Sequence, residues 1–286
     1  GQVGGQLSAL YPEKFVYDLP GHPAIKAKDF IAGLSQQIER VSDFVKISLK
    51  QNVQNIDKNE DGSFTIKTES DTYETKAVII TAGGGAFSPR YMGIENEDKF
   101  TNIHYFVNDL QQLKDKKVVI FGGGDSAVDW SLMLEPIAKE VTIVHRRNEF
   151  RAKEANVDAL KASTVTIHTP FAPESVAGVG EIANQMQIKN LDTEELITLD
   201  VDTIIVNFGF SSTLGPIDNW GLEIQRKKII VDRTYATNIP GVFACGDICT
   251  YEGRELQITT GLGEGLSASA AAQRFAFPNL RSRPIR

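Results

Sequence analysis

Cysteine is scarce: only Cys245 and Cys249 occur among 286 residues. Two thiols cannot build a disulfide framework, and their C-x-x-x-C spacing is not the C-x-x-C of a redox motif, so both are read as ordinary thiols. Long apolar runs are also missing. None approaches the ~20 residues that span a bilayer, and no charged-then-apolar leader opens the sequence; the expectation is a soluble, cytoplasmic protein. Excess positive charge is absent too: the net charge is -7, whereas a nucleic-acid surface needs clustered cations. Histidine is limited to 4 residues, and no His/Cys/Asp group falls at metal-ligand spacing. His22, His145 and His168 are read as surface or backbone-bonded side chains. No metal, nucleic-acid or membrane partner is expected.

What remains is a chain long enough for two well-cored domains. Short β-rich runs (VVIF at 118, VTIVHR at 141, VTIHT at 165, TIIVNFG at 203) alternate with amphipathic or turn-rich stretches. That rhythm is βαβ, hence parallel sheet. VKISLK at 45 and SFTIKTESDTYETKAVIITAGGG from 63 break it and predict a small antiparallel meander feeding a buried strand, with turns at NEDG (59–62) and ESD (69–71). An apolar strand ending in glycine recurs at IITAGGG, VVIFGGG, IIVNFG and GVFACGD. Several strand ends therefore converge on something that needs close backbone approach.

The most informative stretch is KKVVIFGGGDSAVDW at 116–130. Lys117 to Phe121 reads as a strand, and Gly122, Gly124 and Ala127 fit G-x-G-x-x-A, with Asp125 and Ser126 opening a helix whose apolar residues form one stripe. In a dinucleotide fingerprint the first glycine turns tightly, the second admits the pyrophosphate, and the small third residue lets helix and strand pack. The helix N-terminus then faces the anion. A plain Gly-rich turn would look similar, so the next strand decides. An NAD site carries an acidic residue there; this chain instead places His145, Arg146, Arg147 and Arg151. Forked guanidinium donors suit the 2'-phosphate of NADP. The plainer alternative is a solvated basic face pairing with Glu149 and Glu154.

GGGDSAVD, HRRNEFRA and TNIPGVFACGDI together resemble the two-dinucleotide-binding flavoproteins of the thioredoxin reductase type. Thioredoxin reductases carry C-x-x-C just before the NADP-binding strand; here that segment is NIHYFVNDLQQL, with His104, Tyr105, Phe106 and Val107 and no sulfur. Without a thiolate the disulfide route is closed. GGQLSALYPEKFVYDLPG, HYFVNDL and ACGDICTYEG are similar instead to the thioredoxin-reductase-like ferredoxin/flavodoxin-NADP reductases of bacteria. The resemblance implies an α/β fold of two Rossmann-like domains, parallel sheets with small antiparallel meanders. An FAD-binding domain would take residues 1–88 and 216–286, without its first βαβ unit, and an NADP-binding domain residues 89–215. It also implies Gln6 and Tyr11 at the flavin, the Tyr11 ring stacked on it, with Val53 at the adenine end, Phe87 after the TAGGG turn and Asp247 at the ribityl chain. Each of these has a plainer reading as a core aromatic, a strand residue or an N-cap.

QITTGLGEGLSASAAA is read as turn residues leading into an Ala/Ser-rich helix whose N-terminus, by the resemblance, points at the flavin pyrimidine edge. The expected activity is electron transfer from NADPH through FAD to ferredoxin or flavodoxin, by a homodimer. No acid/base pair is expected, since the cofactor carries the chemistry. A catalytically silent NADP-binding or redox-sensing module and, less favoured, a disulfide reductase are the alternatives. Lys26 and Lys28, with Arg281, Arg283 and Arg286, are candidates for a basic patch meeting an acidic partner.

Overall fold

A computed structural model describes residues 2–107 and 109–280. The chain divides into two compact units, one taking the chain up to Ser8, Lys14–Phe87 and everything from Ser212, the other Ala9–Glu13 and Ser88–Ser211.

The second unit is built on a five-stranded sheet in the order Thr166–His168, Glu140–Val144, Lys117–Phe121, Thr203–Val206, Ile103–His104. All of its pairings are parallel. Parallel strands need crossovers, and helices Asp125–Leu134 and Glu154–Ala162 supply two of them. Both faces of the sheet are apolar, as burial on both sides requires. Val118, Ile120, Ile143 and Ile205 pack on one side with Val128 and Leu134 of the first helix and Leu160 of the second. Their alternates Val119, Phe121, Val144, Ile204 and Val206 pack with Met186 and Ile188 of an antiparallel meander. That meander comprises Phe171–Val179, Ile182–Asn190 and Leu196–Asp200.

The first unit holds an antiparallel meander, Val53–Lys58, Phe64–Thr68 and Thr72–Thr75, whose second and third strands fall in the stretch predicted from residue 63. Its first turn is closed by Asp61, whose carboxylate accepts from the Ser63 amide and hydroxyl. Strand Val78–Ile80 then runs parallel to Val242–Ala244, in register Val78↔Val242 to Ile80↔Ala244. A core of Phe64, Val78, Ile80, Ile229, Val242 and Ile248 lies beneath. Helix Ile258–Ala276 sets Ala268, Ala271 and Ala272 against Phe243 and Cys245, its small side chains allowing close approach.

Two expectations fail here. VKISLK is not a strand: 45–50 has no ladder partner among the described residues, and Phe44 is 91% exposed, Ile47 50% and Leu49 48%. The turn residues read at the start of QITTGLGEGLSASAAA are already helical, since the helix begins at Ile258. A Cβ on Gly261 would sit 3.6 Å from the Gly246 Cα, an ordinary contact, and nothing lies within 4 Å of the Cβ positions of Gly263 and Gly265.

Candidate functional site

In the second unit the order of the sheet reverses between Lys117–Phe121 and Thr203–Val206, and such a switch point opens a crevice at the carboxyl ends of the strands. Gly122 occupies it. Its φ is +151°, and a Cβ would stand 2.7 Å from the Asn207 carbonyl oxygen and 2.8 Å from the Ala127 Cβ. Helix and sheet therefore approach as closely as two backbones permit. The Gly122 amide donates to Val144 O at 3.0 Å and the Arg151 amide to Gly123 O at 2.6 Å, so the turn is bonded to the neighbouring strand and to the loop beyond it.

His145 is buried over this turn: a Cβ on Gly123 would meet its ring at 2.2 Å. The ring stacks on Phe150 with centroids 5.3 Å apart, and its Nε2–H donates to Glu149 O at 3.2 Å. The predicted residues Gly122, Gly124, Ala127, His145 and Arg151 are thus gathered at one strand end. Arg146, Arg147 and Arg151 are exposed beside it, as are Asp125 and Ser126 at the helix start. Asp125 is not free; its carboxylate accepts from the Lys153 amide at 2.9 Å. The first amides of helix Asp125–Leu134 have no intrahelical acceptor and, with the helix dipole, favour an anion. Asn207 was not legible in advance. Its Nδ2 is buried with no partner among the described residues, directly beside Gly122.

Burial pushes the imidazole pKa of His145 down; the Glu149 carbonyl opposes this and the Arg146, Arg147 and Arg151 charges add to it. Burial does the same at His104, helped by Lys116, and at His168. Below the ordinary value of 6.5 the unfolded chain therefore binds protons that the folded unit resists. Thermal stability is expected to be flat above pH 6.5 and to fall as pH drops below it toward the folded values. Replacing all three histidines with glutamine should flatten that slope; a slope unchanged in the triple variant would assign it to other groups.

In the first unit the ends of strands Val78–Ile80 and Val242–Ala244 lie side by side, joined by the Cys245 amide donating to Ile80 O at 3.1 Å. Turn Gly83–Gly85 follows one strand and turn Gly246–Ile248 the other. Gly85 has φ +88°, and its Cβ would lie 2.2 Å from Thr213 O. Gln6 Nε2 comes within 3.3 Å of where a Gly83 Cβ would be, and the Phe87 ring folds back over Gly84. The start of helix Ile258–Ala276 is tied to the Asp18 carbonyl by Thr259 Oγ1 at 3.1 Å. Val53 opens the meander, opposite Thr68, and Tyr11, half-buried, falls in the short segment that groups with the second unit.

A buried charged cluster that composition does not announce underlies the Gly246–Ile248 turn. The Glu264 carboxylate accepts from the Gly246 amide at 2.6 Å, Tyr251 OH at 2.9 Å and Arg254 Nε at 2.9 Å. The side chains of Arg254 and Glu264 are 4% and 1% exposed. Arg254 also reaches Asp247 Oδ1 at 3.5 Å, and Lys228 donates to the Asp247 carbonyl.

Cys245 and Cys249 are free and buried. Burial and the nearby Glu264 charge raise both thiols, Cys249 to about 12, so neither is a thiolate near neutrality. In HYFV, Tyr105 donates to Glu97 Oε2 at 2.9 Å and packs edge-on against Tyr91, while Phe106 stacks on Phe210. Among the described residues no group of His, Cys, Asp and Glu is placed to hold a metal ion, and no helix is long and apolar enough to cross a membrane.

Comparison with known proteins agrees with this architecture. Residues 9–272 match the pyridine nucleotide-disulphide oxidoreductase family. The chain is 50% identical over 285 residues to a ferredoxin–NADP reductase of Halalkalibacterium halodurans, covering 99% of this chain and 86% of that one. It is 46% identical to ferredoxin–NADP reductase 2 of Listeria innocua, with the same coverage of 99% and 86%. Among solved structures it resembles the thioredoxin reductase of Lactococcus lactis, at TM-score 0.76 and 28% identity over 97% of this chain and 89% of that one. Two dinucleotide-type units, two inert thiols and these likenesses place the chain in the pyridine nucleotide-disulphide oxidoreductase family, among its ferredoxin–NADP reductases.

Proposed function

We propose that the chain carries electrons between NADPH and ferredoxin through FAD, with residues 89–215 as the NADP-binding domain and residues 1–88 with 216–286 as the FAD-binding domain. The observation that carries the reading is the Gly122–Gly124 turn, overlaid by His145 and flanked by three exposed arginines. A turn too tight for a Cβ, a helix start and forked cations fit a pyrophosphate and a 2'-phosphate. Gly122, Gly124, Asp125, Ser126 and Ala127 would hold the pyrophosphate, and Arg146, Arg147 and Arg151 the extra phosphate, with His145 holding the turn in shape.

In the other crevice Gly246, at φ +76° with open space where a Cβ would point, suits a ligand pressed against backbone. Gln6, Phe87, Asp247 and Val53 would contact the flavin nucleotide, and Tyr11 is assigned a flavin-stacking role by the family resemblance alone. When bound, FAD takes up a two-electron hydride and gives out electrons one at a time. The protein's part is to orient the nucleotides and present fixed N–H dipoles from the start of helix Ile258–Ala276.

Ferredoxin, or flavodoxin in its place, would meet a local basic patch. Lys28 is exposed and Lys26 Nζ lies over the Phe15 ring at 5.8 Å; Arg281, Arg283 and Arg286 lie outside the described residues. A cytoplasmic location follows from the sequence reading given above, and a homodimer from the family resemblance stated there. With FAD supplied, NADPH should bleach the visible flavin bands, and ferredoxin should be reduced in turn. Reversing Lys26 and Lys28 should slow the ferredoxin step while NADPH-to-dye turnover stays intact. Salt should slow the same step, because the Debye length falls from ~10 Å at 0.1 M to ~3 Å at 1 M. A chain that stays colourless, taking up no FAD, would favour the silent module instead.

A further inference from the structure

We propose that Glu264 is a positioning residue for the flavin site, acting through Arg254 to fix Asp247 and the start of helix Ile258–Ala276 as one rigid piece. The inference rests on reading the crevice around Gly246–Ile248 as that site.

Four groups converge on one buried carboxylate: the Gly246 amide, the Cys249 thiol at 3.7 Å, the Tyr251 hydroxyl and the Arg254 guanidinium. The first two belong to the turn and its exit, while the carboxylate belongs to the helix. Glu264 therefore bonds the helix to the turn, one helical turn beyond Gly261, on the same face because residues i and i+3 are neighbours. On that face a Cβ added to Gly261 would lie 3.6 Å from the Gly246 Cα, an ordinary van der Waals contact, so helix and turn are neighbours there. The carboxylate bonds the two elements across that contact.

Arg254 completes the chain of contacts. Its Nε is 2.9 Å from Glu264 Oε1, and its NH2 is 3.4 Å from Glu264 Oε2 and 3.5 Å from Asp247 Oδ1. A planar guanidinium presents several donors in fixed directions and can meet two carboxylates at once, which a compact ammonium does less specifically. Buried ion pairs contribute little net stability compared with apolar residues of the same volume. What this pair supplies is a fixed geometry for Asp247, half-exposed at the turn, and for the helix amides that begin at Ile258. If those groups face the flavin, moving them changes how strongly each redox state is held.

The test uses the full chain with FAD, comparing wild type with Glu264→Gln, Arg254→Lys and the double variant Glu264→Gln/Arg254→Met. The readouts are flavin affinity, flavin midpoint potential by dye equilibration, NADPH affinity and melting temperature without FAD. Glu264→Gln should weaken flavin about tenfold and change the ratio of affinities for oxidised and reduced flavin by a similar factor, ~30 mV for a two-electron couple. NADPH affinity should stay within about twofold, its site lying in the other unit. Arg254→Lys should keep a melting temperature near wild type yet shift the potential. The double variant should regain the melting temperature lost in Glu264→Gln but not the potential. Wild-type flavin affinity and potential in Glu264→Gln, or a potential that returns with the melting temperature in the double variant, would overturn the proposal and leave Glu264 a folding residue. A wild-type chain that holds no added flavin would overturn the reading of the crevice, and the proposal with it.

Discussion

Replacing Arg146 and Arg147 together by alanine is expected to weaken NADPH by roughly a hundredfold or more while leaving NADH almost unchanged. Each charge-assisted contact to a phosphate contributes about 1.5–3 kcal/mol, and a factor of ten in affinity is about 1.4 kcal/mol. Both guanidinium groups are exposed, so solvent screening puts the loss toward the lower end of that range. No ion pair among the described residues joins Arg146, Arg147 or Arg151 to Glu149 or Glu154, leaving the cluster available to a ligand. Direct titration of both nucleotides, at low and high salt, measures the difference. Equal losses for NADPH and NADH would mean that the arginines do not read the 2'-phosphate.

The second large effect separates two glycines two residues apart. Gly122→Ala should destabilise the second unit by about 2–4 kcal/mol, because overpacking against the fixed Asn207 carbonyl and Ala127 methyl adds to the strain of a positive φ. NADPH binding should be lost with it. Gly124→Ala should leave stability near wild type, since nothing lies within 4 Å of its Cβ position and its φ of -98° suits any residue. It should still weaken NADPH at least tenfold, because the added methyl stands where the pyrophosphate must approach the backbone. Thermal unfolding and nucleotide titration of the two variants decide. Tight NADPH binding by Gly124→Ala would put the phosphates elsewhere.

How much of this was legible varies with the range of the forces involved. The strand, glycine turn and helix at 117–134 could be read because each step is local: β-branched residues, a turn needing no Cβ, then an apolar stripe. The meander turns at NEDG and ESD were readable for the same reason. VKISLK was misread although Val45, Ile47 and Leu49 alternate correctly, because alternation specifies a face and only a neighbouring backbone makes a strand. Helix propensity counts glycine as a breaker, yet GLGEG is helical, held in place by the bonds of Glu264 to the Gly246 amide, Tyr251 and Arg254. The Glu264–Arg254 pair was invisible, since nothing in the spacing of residues 254 and 264 says that both side chains leave the solvent. Asn207 follows a strand and belongs to no motif, so its burial beside Gly122 shows only in the fold.

The bond from the Arg151 amide to Gly123 O, together with the His145 ring lying over Gly123, sets a rule for anyone redesigning cofactor preference. The loop that would discriminate between nucleotides and the turn that would grip any nucleotide share one mechanical frame. Exchanging charges at 146 and 147 alone should yield an enzyme that has lost NADPH without gaining NADH. A productive switch has to transplant residues 145–151 as a block, with a ring at 145 that still fits over the glycine, so that the grip survives the change in taste.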